Sequence, residues 1–442
     1  MERRREKNEG VGNGIGTEGR RENWVLSDFL LLRISCDRNL CGLLCCNPNK
    51  LIWYAHVVVK EEAEALLMVE GMVKNQAKVL LVVEGMVKSV VKASNQGMKL
   101  EWLHRPRSRR MIFRYDERIL PILQQYGLEH IARVTELSID HSLITALVER
   151  CRRETHSFHQ PTGEITVALQ DVSCLWGLSI NGAPVIGISD DHWEEDVLSA
   201  FGRDEAWAAF RRPPGMFHMR MGWLREPWVP PTTRDREFVA AELSEDANEE
   251  QVLYFARSYM MDLFGSVMFP DHSGRLYSMF VQIIYSESPR IYSWASAVLA
   301  FLYRGLCRAS GSSREIAAPF ILLQMWSWTR FPVGRPIRHD FGDEGLGGAP
   351  YGLFWLVPHD FSDTARYNIG TYRRKFEELV DDDVNWTPYD GIMDELPEIC
   401  RDAQEQRLWY YEGPLIWFWI IEMYTPQRVM RHVWINLTCY TN

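Results

Sequence analysis

Around residues 155–182 the chain alternates hydrophobic and polar positions with period two, then changes to helical spacing. Phe158 precedes a turn at Pro161-Thr162-Gly163, where proline presets φ and glycine tolerates the left-handed region. Ile165, Val167 and Leu169 then alternate with Glu164, Thr166 and Ala168, the pattern of a half-buried strand. Gln170-Asp171 opens a short helix that Gly177 closes. The pattern thus predicts strand, tight turn, strand and short helix.

Elsewhere the spacing is mainly helical. A helix is expected over Leu143–Arg152 after a cap at Ser142, and another over Glu250–Phe264 ending at Gly265. Trp294, Val298, Phe301 or Leu302, and Leu306 recur on one helical face. Pro319 suits the first turn of a helix that stops before Phe331-Pro332 and is apolar on every side, which predicts the central core helix. Trp294, Trp326, Trp328, Trp417 and Trp419 are all expected in apolar helices and in the core. Residues 213–249 and Gly334–Pro358 read as irregular loops. The expected architecture is mainly α (α+β). One large helical domain with a small antiparallel β-hairpin spans 111–432, between a poorly ordered extension at 1–110 and a divergent tail at 433–442.

Charge separates the extension from the body. Residues 1–100 hold 15 Lys and Arg against 12 Asp and Glu; the remainder holds 34 against 47, giving +3 and −13. A body this acidic is a poor general clamp for phosphate, so contact with nucleic acid is expected to be indirect. The extension repeats itself at an offset of 14 residues, Leu66–Lys74 recurring as Leu80–Lys88. Two copies are too few for a solenoid, and Gly71 and Gly85 oppose a helix. Cys151, Cys174, Cys307, Cys400 and Cys439 are scattered singly, as thiols of a reducing compartment are. The most apolar window, Leu415–Ile421, is too short to span a bilayer, and no membrane association is expected.

Several blocks then occur in order. Thr155–Gly182 is followed by Tyr292-Ser293-Trp294 with Ala297–Arg304, by Leu322–Trp328 with Arg330, and by Arg335-Pro336. Tyr372-Arg373, Trp386-Thr387-Pro388-Tyr389, Ile421-Glu422 and Pro426–Arg431 complete the series. Together they resemble the plant mobile domain family, also called aminotransferase-like, over about Ile112 to Arg431. Ala295, Ala317-Ala318-Pro319 and His432-Val433-Trp434 depart from the family pattern. The resemblance implies a transposon-related plant family connected with transposon silencing, genome stability and meristem maintenance. It implies a non-enzymatic nuclear scaffold whose partners are nuclear proteins of unknown identity. A degenerate transposon-derived copy without a retained role is a further alternative.

Candidate chemistry is sparse. Pyridoxal phosphate needs a lysine, and beyond Lys99 only Lys375 exists, in the basic run Arg373-Arg374-Lys375 of an expected surface helix. Aminotransferase activity is therefore rejected, and no cofactor is expected. His156 and His159, three apart on a strand, point to opposite faces and do not converge on one metal with Glu164. His339-Asp340 and His359-Asp360 would serve a rival hydrolase reading. Cys36, Cys41, Cys45, Cys46 and His56 do not match a zinc spacing, and Gly14–Gly19 lacks the strand that dinucleotide binding requires. Trp386 and Tyr389 beside Asp381–Asp383, together with Arg428 and Arg431, form the candidate interaction surface. The basic run Arg105–Arg110 is a candidate nuclear-import patch.

Overall fold

The computed structural model describes residues 111–429, except 135–136, 187–198, most of 203–239, 272–274, 278, 286–288, 311–316, 339–340, 343–344 and 357–367. The chain divides into two units, Met1–Gly97 and Met98–Asn442, and every described residue belongs to the second. The extension, Arg105–Arg110, the Cys36–His56 group and the tail 433–442 lie outside the described residues.

Helix α1 (Leu120–Gln125) is followed by α2 (His141–Val148), whose cap is Asp140 and not Ser142. One Asp140 carboxylate oxygen accepts from the amides of Ser142 and Leu143, and the other accepts from the Tyr372 hydroxyl at 2.6 Å. A carboxylate two residues earlier reaches the free amides of the first turn, which a Ser142 hydroxyl already inside the helix does not. The helix also ends earlier than expected, because Cys151–Arg152 turns into strand β1.

Strands β2 (Ser157–Gln160) and β3 (Gly163–Ile165) form the expected hairpin, with Phe158 opposite Ile165 and His159 opposite Glu164. Strand β1 adds antiparallel to β2, pairing Cys151 with Phe158. Helix α3 (Leu169–Trp176) follows and stops at Gly177, whose φ is 66°. A Cβ on Gly177 would collide with the His130 side chain, so the close approach and the backbone both require glycine.

Strand β4 (His218–Arg220) precedes α4 (Glu249–Leu263), which opens with a reciprocal box between Asn248 and Gln251. Gly265 does not end this helix. The chain continues through a π-turn, Phe264–Met268, in which Phe269 N donates to Phe264 O. The buried Asp262 carboxylate accepts from Ser266 Oγ at 2.7 Å, and its second oxygen takes the amides of Ile112 and Phe113. That polar anchorage outweighs the intrinsic tendency of glycine to stop a helix.

Strand β5 (Arg275–Tyr277) pairs with β4, and α5 (Met279–Ile284) leads to α6 (Trp294–Ala309). Helix α7 (Phe320–Arg330) is buried at every position, the central element that its all-round apolarity predicts. Gln324 is the polar exception within its first turns; its amide bridges Asp140 N and Ser138 O at 2.7 and 2.9 Å. A 3₁₀ turn at Tyr351–Trp355 and helices α8 (Ile369–Glu377), α9 (Glu398–Arg401) and α10 (Ala403–Leu408) complete the helical part.

The apolar window at Leu415–Ile421 is a hairpin rather than a helix: β6 (Gly413–Trp417) and β7 (Ile420–Tyr424) join through Phe418-Trp419. Leu415, Trp417 and Ile420 face α6 and are buried, whereas Trp419 at the turn is 51% exposed. Alternating burial favours a strand over a short helix that would carry apolar groups on every side. Among the described residues the structure is therefore mainly helical, with three small antiparallel sheets. No described helix is long and apolar enough to cross a membrane.

Candidate functional site

Three features of the body hold chemistry or surface of note, and the first and third are built on the β6–β7 hairpin. On its inner side, Glu422 lies opposite Leu415 and turns its carboxylate toward α6. Arg304 Nε is 2.6 Å from one carboxylate oxygen, and His156 Nε2 is 3.4 Å from the other. The other imidazole nitrogen, Nδ1, lies 3.4 Å from the Cys307 sulfur. The His156 ring stacks parallel on Tyr303, with 4.6 Å between centroids. His156 also holds φ at 51°, a left-handed value that Thr166 secures by donating its hydroxyl to the His156 carbonyl at 2.5 Å.

This is a thiol, imidazole and carboxylate in line, and its electrostatics decide what it can do. Burial, reinforced by Arg304, lowers the His156 pKa to about 4. Burial and the nearby Glu422 charge push the Cys307 thiol up to about 11. Both shifts favour the neutral pair, with the thiol donating to Nδ1 and Nε2–H facing Glu422. An activated cysteine needs the opposite, a thiolate beside an imidazolium. The cluster ties the β1–β2 turn, α6 and the C-terminal hairpin together. Neither Cys307 nor the His156–Glu422 pairing follows from local sequence pattern, because the three residues lie far apart in the chain.

The second feature is buried. Arg330, at the end of α7, places Nη2 2.5 Å from Asp171 Oδ1 and Nη1 2.6 Å from the Trp386 carbonyl. Asp171 Oδ1 also accepts from the Tyr389 hydroxyl at 2.9 Å, and Oδ2 accepts from Ala168 N. Tyr389 is therefore a core residue, 1% exposed, and not the surface contact expected of it. Trp386 is half-buried against the core. Asp171 draws Tyr389 inward because a buried carboxylate needs several donors.

The third feature faces solvent. Pro414 lies opposite Met423 and Ile416 opposite Ile421, all on the outer side of the hairpin. Ile421 is 59% and Met423 41% exposed. The alternation around Phe418-Trp419 is the only sequence sign of this face, and reading it requires the turn to be recognised first.

Other expected sites fall elsewhere. His159 Nε2 pairs with Glu164 at 3.2 Å across the β2–β3 ladder, away from the His156 cluster. Lys375 lies half-buried on α8 beside the buried Phe376. Arg428 belongs to a 3₁₀ turn, Pro426–Val429, while Arg431 lies outside the described residues. His339, Asp340, His359 and Asp360 also lie outside them. Among the described residues no group of three or more His, Cys, Asp or Glu could hold a metal ion.

A family model described as plant mobile domain matches residues 127–433. The chain is 33% identical over 330 residues to a serine/threonine-protein phosphatase 7 long form homolog of Arabidopsis thaliana, covering 72% of this chain and 23% of that protein. It is 29% identical to Protein MAIN-LIKE 1 and 28% identical to Protein MAINTENANCE OF MERISTEMS of the same plant. Those matches cover 72% and 71% of this chain, and 58% and 61% of the two relatives. The chain thus spans less than two thirds of the length of each of these relatives. No solved structure shows significant similarity to it.

Proposed function

Since the chain belongs to the plant mobile domain family, we propose that it is a nuclear interaction module that holds partner proteins on a rigid helical body, without chemistry of its own. The observation that carries this reading is the outer side of the β6–β7 hairpin, where Ile421 and Met423 stand in solvent. Contiguous exposed apolar side chains on a well-packed element are characteristic of docking surfaces. The neutral Cys307–His156 pair supports the non-enzymatic side of the proposal. Kinship with Protein MAINTENANCE OF MERISTEMS supports reading the role as one in meristem maintenance, and the silencing of transposons is the nuclear process in which the chain would act.

Affinity purification of the tagged chain from plant nuclei tests this, with the Ile421→Glu/Met423→Glu variant run in parallel. Defined proteins recovered with the parent chain and lost with the variant are the expected result. Identical recovery with both chains, or exclusion of the tagged protein from nuclei, would overturn it.

A further inference from the structure

The outer hairpin face is wider than two strands. Val185 pairs in parallel with Trp417, and Phe418 N donates to the Val185 carbonyl at 2.7 Å. Val185 and Trp417 are both buried, so Pro184 and the 51% exposed Ile186 fall on the outer side with Ile416 and Ile421. Among the described residues no outward position of this layer is charged. On its far side β7 is the last strand, because β6 and β7 form a two-stranded sheet among the described residues.

The register determines which backbone groups that edge presents. A two-residue turn makes Trp417 and Ile420 a hydrogen-bonded pair, and the alternation repeats at Leu415 with Glu422 and at Gly413 with Tyr424. Ile421 and Met423 therefore aim their N–H and C=O groups away from β6. The same two residues supply the exposed apolar side chains. An edge strand with free backbone groups and an apolar face is a template for one more strand.

Charge narrows the occupant. Residues 377–412, which run directly into β6, hold twelve Asp and Glu against two Arg, a balance of −10 that equals the net charge of the whole chain. Nearly all of these carboxylates are exposed, including Glu412 next to Gly413. Resting on the reading of the chain as an interaction module, we infer that the β7 edge takes an extended segment of a partner protein, with alternating apolar side chains and flanking Lys or Arg. The backbone of the guest pairs with Ile421 and Met423, its apolar side chains extend the outer layer, and its cations meet the acidic stretch.

Fluorescence anisotropy of the purified full chain with labelled peptides of about ten residues provides the test. One peptide has an alternating Val, Thr, Ile and Phe core with Lys-Arg flanks; a second has Glu flanks; a third carries proline in mid-core. The basic-flanked peptide is expected to bind at least about tenfold more tightly than either of the others, and more weakly as salt rises. Met423→Pro removes an outward N–H that makes no ladder bond, and Ile421→Glu charges the face; each is expected to cost about tenfold in affinity. Equal binding of the proline or Glu-flanked peptide overturns the inference, as does a concentration-dependent dimer that both variants abolish. If no peptide binds but the double variant still loses its nuclear partners, the strand class is wrong and the interaction module stands. If those partners are retained as well, both fall.

Discussion

Arg330 and Asp171 meet 2.5 Å apart with side chains 1% and 0% exposed, joining the end of α7 to the first turn of α3. A charge pair this deep is favourable only while every partner is present, since each ion has given up its water. Tyr389 and Ala168 N add donors to Asp171, and the Trp386 carbonyl accepts from Arg330, which holds the loop that follows the Asp381–Asp383 turn. Breaking the pair from one side should therefore be far worse than removing it whole. Asp171→Ala is expected to cost about 3–5 kcal/mol in urea unfolding, and the Asp171→Leu/Arg330→Met double variant clearly less. Equal losses in the two would contradict the ion-pair account.

Stability should depend on pH through two histidines. Burial holds His156 near pKa 4 against an unfolded value of 6.5, and burial with the Arg133 charge does the same for His130. Below 6.5 the unfolded chain gains protons that the folded chain refuses. Stability is thus complete above about pH 6.5, declines as pH falls, and stops declining from these groups below about 4. A full shift of that size corresponds to about 3 kcal/mol per residue. Urea midpoints measured in steps from pH 7.5 to 4.5 should show the decline, and His156→Asn, which tolerates the left-handed backbone, should flatten it. A midpoint that rises on acidification across this window would refute the assignment.

Cys307 should behave as a sluggish thiol. With its pKa pushed up to about 11, the thiolate fraction at pH 8 is about one in a thousand. Iodoacetamide labelling, followed by peptide mass spectrometry, should be slow at pH 8 and accelerate about tenfold per pH unit up to about 10. Glu422→Gln removes one cause of the raised pKa and is expected to speed labelling. Rapid labelling of the parent chain at pH 7 would revive a nucleophilic role.

What could be read from the chain alone was local. Pro161-Thr162-Gly163 and Gly177 announce their turns within a few residues, and Pro319 with Phe331-Pro332 brackets α7. The misread elements are those settled by distant contacts. Gly265 stays helical because Asp262 gathers Ser266, Ile112 and Phe113, and Tyr389 is drawn inward by Asp171, 218 residues away. The β6–β7 turn contains no glycine or asparagine, and Phe418 adopts φ of 49° there. Without a turn residue, seven apolar positions in a row look the same for a strand pair and a helix.

That hairpin register yields the sharpest local contrast. Ile420 is 5% exposed and packs inward with Trp417, while its neighbour Ile421 is 59% exposed and faces out. Chemistry and chain position are nearly identical, so only the side of the sheet separates them. Ile420→Ala leaves a cavity and is expected to cost about 2–4 kcal/mol, whereas Ile421→Ala should remain within about 0.5 kcal/mol. Thermal or urea unfolding of the two single variants decides the matter. Similar losses at both positions would mean that the outer face is covered in solution, and the free edge on which partner binding depends would not exist.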